Sequence, residues 1–398
     1  LTIMADLPRT ADAVVVGGGC MGASTAFHLA RLGVANVVLV ERDTQLATGS
    51  TGRNAGGVRH QFSHESNIRL SLESIATMEH FEDVTGAAID LHLDGYLFLL
   101  ATPAAVESFE RNVVLQRRLG VAVDVLTPDE ARSIAPGLAT EGVLAATFCA
   151  RDGIADPNGV TMGFARAAQR LGVAVARDTE VVGIDVDPEH QRVTGVRTSR
   201  GRIDTPVVVN AAGPWAREIG RMAGLDVPVS PIRRHIFIAQ PGSPSGWVPG
   251  SVPASRVLVI DFETSFYFHR EGGNVLFGMG ERGEQPTFDT TVQWEFLEQI
   301  TPVATRRLPA IAEAPIAKAW AGLYEMTPDA MPIIGAARRL SGYWLVTGFS
   351  GHGFQHSPAA GRILADLIVA RDPGPIDLAP FAFERFASGD VSAERNVV

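Results

Sequence analysis

Hydrophobic and polar positions change rhythm within the first forty residues. Asp12-Ala-Val-Val-Val16 is a short apolar run, a helical stretch leads to Arg31-Leu32-Gly33, and Val37-Val-Leu-Val40 is a second apolar run ending in Glu41. This pattern predicts a strand–loop–helix–strand unit. Residues 65–85 repeat Ile68, Leu72, Ile75, Met78 and Phe81 at amphipathic helical spacing, and helices are also expected over 105–120 and 128–134. Tyr96–Leu100 and 142–145 read as strands. A helix over 158–171 follows Asp156-Pro157, then short strands at 173–176 and 180–187, and an apolar strand from Val207 into Asn210-Ala-Ala-Gly213. Alternation over 232–240, 256–261, 265–270 and 274–280 predicts a sizeable antiparallel sheet. A helix over 290–306, a strand at Tyr343–Thr347 and a helix from Ser357 to Ala370 complete the pattern.

Between the first strand and helix lies Gly17-Gly18-Gly19-Cys20-Met21-Gly22, which fits G-x-G-x-x-G. Gly17 permits the tight turn, Gly19 lets the backbone approach a pyrophosphate, and Gly22 lets the helix pack closely on the strand. The amides of the helix start, at Cys20 and Met21, face a phosphate with the positive end of the helix dipole. Glu41 follows Gly22 by 19 residues, where a carboxylate accepts hydrogen bonds from a ribose diol. A ligand-wrapping loop is expected over 47–57, whose residues are mostly small.

Two later segments favour FAD over a nicotinamide. Asn210-Ala-Ala212-Gly213 lets a chain segment cross tightly over the cofactor. Gly348-Phe-Ser-Gly351-His352-Gly353-Phe354 is a second glycine-packed strand-to-helix turn, whose amides would stabilise negative charge on the flavin's pyrimidine edge.

At 398 residues two domains are expected. No apolar run approaches the roughly 18 residues that span a bilayer, and the start lacks a secretory pattern, so the cytoplasm is expected. A net charge of −10 argues against nucleic acid. The two cysteines, Cys20 and Cys149, have no metal-ligand spacing, so no metal is expected. Arginine outnumbers lysine 33 to 1, so any lysine chemistry rests on Lys318.

The N-terminal fingerprint, Asn210–Gly213, Met326-Thr-Pro-Asp329 and Gly348–Phe354 resemble the D-amino-acid oxidase superfamily of FAD enzymes, in its sarcosine oxidase, glycine oxidase and dye-linked proline dehydrogenase branch. The resemblance covers nearly the whole chain. It implies an α/β fold, with a discontinuous Rossmann-like FAD-binding domain (1–85, 145–225 and 325–398) and a mixed antiparallel-sheet substrate domain (86–144 and 226–324). It also implies oxidation of an amine, usually an amino acid, to an imine. Arg59 falls where the family grips the substrate carboxylate, and His352 and Gln355 fall where it places groups facing flavin and substrate. Further cofactor contacts are implied for Arg42, Gly49, Ser50, Thr51 and Val182, with Tyr267 and His269 as candidates to line the substrate sheet. Covalent members carry a cysteine just before Tyr-x-x-Thr-Pro-Asp. Ala321-Gly-Leu-Tyr324 has none, so non-covalent FAD is expected. Oxidases of the family place a lysine on a strand matching Asn274–Gly280, and none is present. The electron acceptor is left open among dioxygen, a quinone and a protein. The alternatives are a flavoprotein subunit or assembly factor of a larger dehydrogenase, and an NAD-dependent or hydroxy-acid dehydrogenase.

Overall fold

The computed structural model describes residues 7–281, 283–389 and 391–397. Its first sheet has six strands in the order Ile333–Ala336, Tyr343–Thr347, Val208–Asn210, Ala13–Val16, Val37–Val40 and Ala174–Ala176. All neighbours are parallel except the first pair. Val16 stands beside both Val40 and Asn210, and Asn210 beside Leu345, so the strands end along one edge. In such sheets the crevice beyond the strand ends is where ligands bind. Helix Cys20–Arg31, with ten buried residues, covers one face together with Pro157–Arg170 and Gly353–Ile368.

The second large sheet has eight strands: Ile316–Met326, Ser230–Ala239, Asn274–Met279, Phe266–Glu271, Leu258–Asp261, Tyr96–Leu100, Ala145–Cys149 and Asp124–Leu126. Only the Leu258–Asp261 and Tyr96–Leu100 pair is parallel, so the sheet is mixed. Period-2 alternation sorts its two faces. Phe237, Phe266, Phe268, Phe277, Leu97 and Val259 pack into one cluster with helix Glu295–Arg307. Arg234, Ile236, Tyr267, Leu258, Ile260, Tyr96 and Tyr324 face the opposite way, over the edge of the first sheet.

Three expectations move. Ala145–Cys149, assigned by sequence to the segment 145–225, pairs within the eight-stranded sheet, and the strand expected at 142–145 begins only at Ala145. Ile316–Met326 is an unexpected long strand, because Ala317, Ala319, Ala321 and Gly322 give it little hydrophobic alternation. The last helix starts at Gly353 instead of Ser357 and runs through Pro358. Proline cannot donate to the carbonyl four residues back, and the Ser357 hydroxyl donates to that Phe354 carbonyl instead, at 2.8 Å. Among the described residues no helix is long and apolar enough to cross a membrane.

Candidate active site

A cavity of about 490 Å³ runs from the strand ends of the first sheet to the inner face of the second. At its first end the protein presents mainly backbone. Gly17 has φ +111°, and a side chain there would strike Ala211 O. A Cβ on Gly22 would lie 1.9 Å from Gly17 O, so helix and strand close up only without one. Glu41 accepts hydrogen bonds from the Gly18 and Asp43 amides at 2.7 and 2.8 Å, which fixes its carboxylate at the cavity wall. Arg42 lies over the Trp215 ring, 4.5 Å from its centre. Val182 is corrected. It is half exposed, at a bulge between Val181 and Gly183, and does not line the cavity, whereas Val181 is buried and does. Cys20 and Met21 line the cavity at the helix start. Burial pushes the Cys20 thiol up to about 11, so it is neutral, and its sulfur accepts from the Thr51 hydroxyl.

The middle is fastened by long-range bonds. Ser50 Oγ donates to Leu323 O at 2.6 Å, Arg53 to Ala321 O at 3.0 Å, and Trp320 Nε1 to Arg53 O at 2.9 Å. These tie the small-residue loop, with Gly49, Ser50 and Thr51, to strand Ile316–Met326. Ala212 and Gly213 face the loop across the cavity. Of the second glycine turn, Gly351, His352, Gly353, Phe354 and Gln355 line the cavity. Gly348 does not: it shapes the turn at φ +76°, packed on Thr327. Glu325, missed by the sequence reading, also lines this region. Its carboxyl accepts from Thr347 Oγ1 at 2.9 Å and Phe349 N at 3.3 Å, and burial raises its pKa above the usual carboxylate range.

At the far end Arg59 is buried, and burial lowers its pKa from the ordinary arginine value. Its guanidinium donates to Gln61 O at 2.5 Å and to Asn396 O, and lies 3.9 Å from the centre of the Phe62 ring. Its protein partners are carbonyls, and among the described residues no carboxylate forms an ion pair with it. Gln355 Oε1 accepts from the Arg59 backbone amide at 2.6 Å. His352 Nε2 lies 3.1 Å from Ala330 O, and Nδ1 lies 3.2 Å from His356 Nδ1. The carbonyl requires Nε2–H, so Nδ1 accepts from His356, whose Nε2 accepts from Ser71 Oγ–H. Burial lowers His352 to about 4. It lines the cavity as a neutral ring with both nitrogens committed to the protein.

Three of the chain's four tyrosines meet here. A Cβ on Gly57, Gly278 or Gly351 would come within 2.1, 2.4 and 2.3 Å of Tyr96, Tyr267 and Tyr324, so these glycines make room for the rings. Burial raises all three phenol pKa values, which keeps them neutral donors. His269 is instead a core residue. Its nitrogens face Arg270 O and Ala55 O, and it does not line the cavity. Lys318 is exposed beside Trp320, outside the cavity.

The sequence reading also missed Arg234, Tyr96, Tyr324 and the C-terminal segment. Two arginines inside an apolar strand, Arg233-Arg234, were a usable signal; the C-terminal segment carried none. Glu394 accepts bonds from Ser63, His64, Asn67 and Asn396, and holds Val397 at the cavity wall.

A buried His60–Cys149–Asp152 group has atoms close enough to share a metal ion, and the Asp152 oxygens already accept hydrogen bonds from the protein. Asp152 accepts from the His60 amide and ring on one oxygen, and from Gln61 on the other.

The cradle fits FAD: side-chain-free approaches at Gly17 and Gly19, a fixed carboxylate at Glu41, a helix start at each glycine turn, and a broad aromatic chamber beyond. The sequence matches the family described as FAD dependent oxidoreductase over residues 12–367. It is 33% identical to FAD-dependent oxidoreductase domain-containing protein 1 of Xenopus laevis, over 98% of this chain and 85% of that protein. It is 30% identical to mitochondrial dimethylglycine dehydrogenase of Rattus norvegicus, over 92% of this chain but 44% of that one. The crystal structure of L-proline dehydrogenase from P. horikoshii superposes with a TM-score of 0.87 at 34% identity, covering 97% of this chain and all of that one. The chain therefore belongs to the FAD-dependent oxidoreductase family of D-amino-acid oxidase type, with FAD as its cofactor and the oxidation of amino acids or amines as its kind of chemistry.

Proposed function

We propose that this enzyme oxidises the carbon next to the nitrogen of a small, cyclic or N-substituted amino acid, giving the imine, with Arg59 at the substrate carboxylate. FAD, when bound, accepts the hydride. The chain's own work is binding, orientation and exclusion of water. The observation that carries the reading is the buried Arg59 guanidinium, which lines the cavity and, among the described residues, donates only to carbonyls. A buried charge without a counter-ion is costly, and a substrate carboxylate supplies the ion with matched two-pronged geometry.

The amine must react with its lone pair free, and the chamber suits a neutral nitrogen. His352 is neutral and committed elsewhere, and the three tyrosines are un-ionised phenols, so no strong base is offered or needed. Glycine turns at both ends of the cofactor divide the labour. Gly17–Gly22 and Glu41 hold the ADP half, while Gly351–Gln355 brings the start of the last helix to the flavin half.

The reading includes a non-covalent flavin. Cys20 is the cavity's cysteine; it lies at the pyrophosphate end with a neutral, buried thiol. It also includes a cofactor domain assembled from three stretches and a substrate domain around the eight-stranded sheet, with 145–149 moved to the latter. With Lys318 outside the cavity, a quinone or protein acceptor is as well supported as dioxygen.

The test is direct. The purified protein should be yellow, denaturation should release the colour as free FAD, and anaerobic addition of amino acids with secondary amines should bleach it. Colour that stays with the unfolded chain would contradict the non-covalent assignment. A holoprotein that no amine bleaches would contradict the reaction.

A further inference from the structure

The inner face of the eight-stranded sheet carries a second cation. Arg233 and Arg234 are adjacent in strand Ser230–Ala239 and point to opposite faces. Arg233 is paired, donating to Glu284 and Asp289 at 3.0 Å each. Arg234 lines the cofactor cavity and, among the described residues, has no ion pair. Its Nη1 donates to the Arg233 carbonyl at 2.9 Å, and its buried Nε has no partner. The guanidinium lies 5.1 Å from the centre of the Tyr324 ring, with Tyr267 close by. Glu281 feels the charge of Arg234, and Glu284 lies beside Glu281. Glu284 is engaged by Arg233, and Glu281 lies beyond ion-pair reach of Arg234.

We propose that Arg234 is a second anion site in the substrate chamber, and that the substrate is an amino acid carrying a second carboxylate, on its side chain or its nitrogen substituent. This rests on the amine-oxidation reading and extends it. The physical argument is a charge count. Of the four arginines that line the cavity among the described residues, Arg42 pairs with Asp43 and Arg53 donates to Thr48 O and Ala321 O, whereas Arg59 and Arg234 both lie near Tyr324, in the part walled also by Tyr96, Tyr267 and Ile236. A monocarboxylate at Arg59 leaves Arg234, half-buried, with its buried Nε unbonded, a costly arrangement. A dicarboxylate satisfies both. The neutral phenols of Tyr267 and Tyr324 can donate to the carboxylate oxygens beside Arg234.

The test uses the yellow holoenzyme and ligands without a nitrogen to oxidise, so that binding is read apart from turnover. Glutarate and butyrate are titrated while following the flavin spectrum. Glutarate should bind roughly 10- to 100-fold more tightly, the size expected for one added charge-assisted bond. Arg234→Gln should bring the two to parity, leaving butyrate affinity within about twofold. Equal affinities in the wild type, or a ratio unchanged in Arg234→Gln, would overturn the assignment. The wild-type ratio needs no variant, so a variant that fails to fold leaves a decisive measurement. In parallel, iminodiacetate and sarcosine are compared for anaerobic bleaching. Bleaching by both at equal efficiency would overturn this inference alone. Bleaching by neither of these nor by any other amino acid with a secondary amine would overturn the amine-oxidation reading, while the glutarate ratio would still decide the role of Arg234.

Discussion

The two ends of the cavity are built from different materials. At the end beside the first sheet, where we propose the ADP half is held, the protein offers backbone: Gly17, Gly19 and Gly22 are there for what they lack, and Glu41 is fixed by the Gly18 and Asp43 amides. At the substrate end it offers side chains from distant parts of the chain: Arg59 from a loop, Tyr96, Arg234, Tyr267 and Tyr324 from four strands, and Val397 from the C-terminal segment. A backbone site is written in consecutive residues, because a turn is local. A side-chain site is written in register and alternation, which only the folded sheet reveals.

The difference can be broken first at the backbone end. Gly22→Val drives a branched side chain into Gly17 O and should abolish FAD binding, giving colourless protein by flavin absorbance. Retained stoichiometric FAD would show that the helix start does not set the site.

Next in size is the clamp that holds the C-terminal region. Asp329 and Arg385, both almost fully buried, form a two-pronged pair at 2.7 and 3.0 Å, and Arg385 also donates to Met331 O. Removing one partner strands the other charge. Asp329→Ala should cost about 3–5 kcal/mol in denaturant unfolding. A loss below about 1 kcal/mol would contradict this assignment.

At the substrate end, Arg59→Ala should weaken carboxylate substrates by about 2–5 kcal/mol, seen as a raised Michaelis constant. Here the protein also depends on pH. His352 titrates at about 4 when folded and near 6.5 when unfolded, because burial disfavours its charged form. Stability is therefore complete above about pH 6.5 and falls as pH drops toward 4, where the unfolded chain takes up the proton first. The loss reaches about 3 kcal/mol. Urea unfolding compared at about pH 7 and pH 4.5 should show a smaller acid loss in His352→Gln than in the wild type.

The smallest effect sharpens the boundary of the site. Val182→Ser, on the exposed side of its strand, should change FAD affinity by less than about 0.5 kcal/mol, whereas Val181→Ser should weaken it measurably.

What the sequence made legible follows the same division. The strand–glycine–helix unit, the second glycine turn and most strands of the eight-stranded sheet were readable, because each is local in period or turn chemistry. Gln355 lines the chamber, yet its side-chain carbonyl is spent on the Arg59 amide, a contact across 296 positions. His352 was placed at the chamber wall, but its commitment to Ala330 and His356 needed coordinates. Val182 failed by one residue, at the bulge between Val181 and Gly183. Strand Ile316–Met326 was hidden because its small residues serve close packing, with Gly322 against Arg53. The contribution of Glu394 to Val397 had no local signal, since apart from the Asn396 amide on Glu394 its bonds run to residues 65 to 337 positions away.

The central claim is that the Arg59 chamber presents an amino acid to FAD for hydride removal. It is tested most directly by anaerobic titration of the yellow holoprotein with an amino acid bearing a secondary amine, in the wild type and in Arg59→Ala. The account predicts complete bleaching in the wild type, and a requirement for at least roughly 30-fold more substrate in the variant. Bleaching at the same concentration in both proteins would contradict it, as would a flavin that no amine reduces.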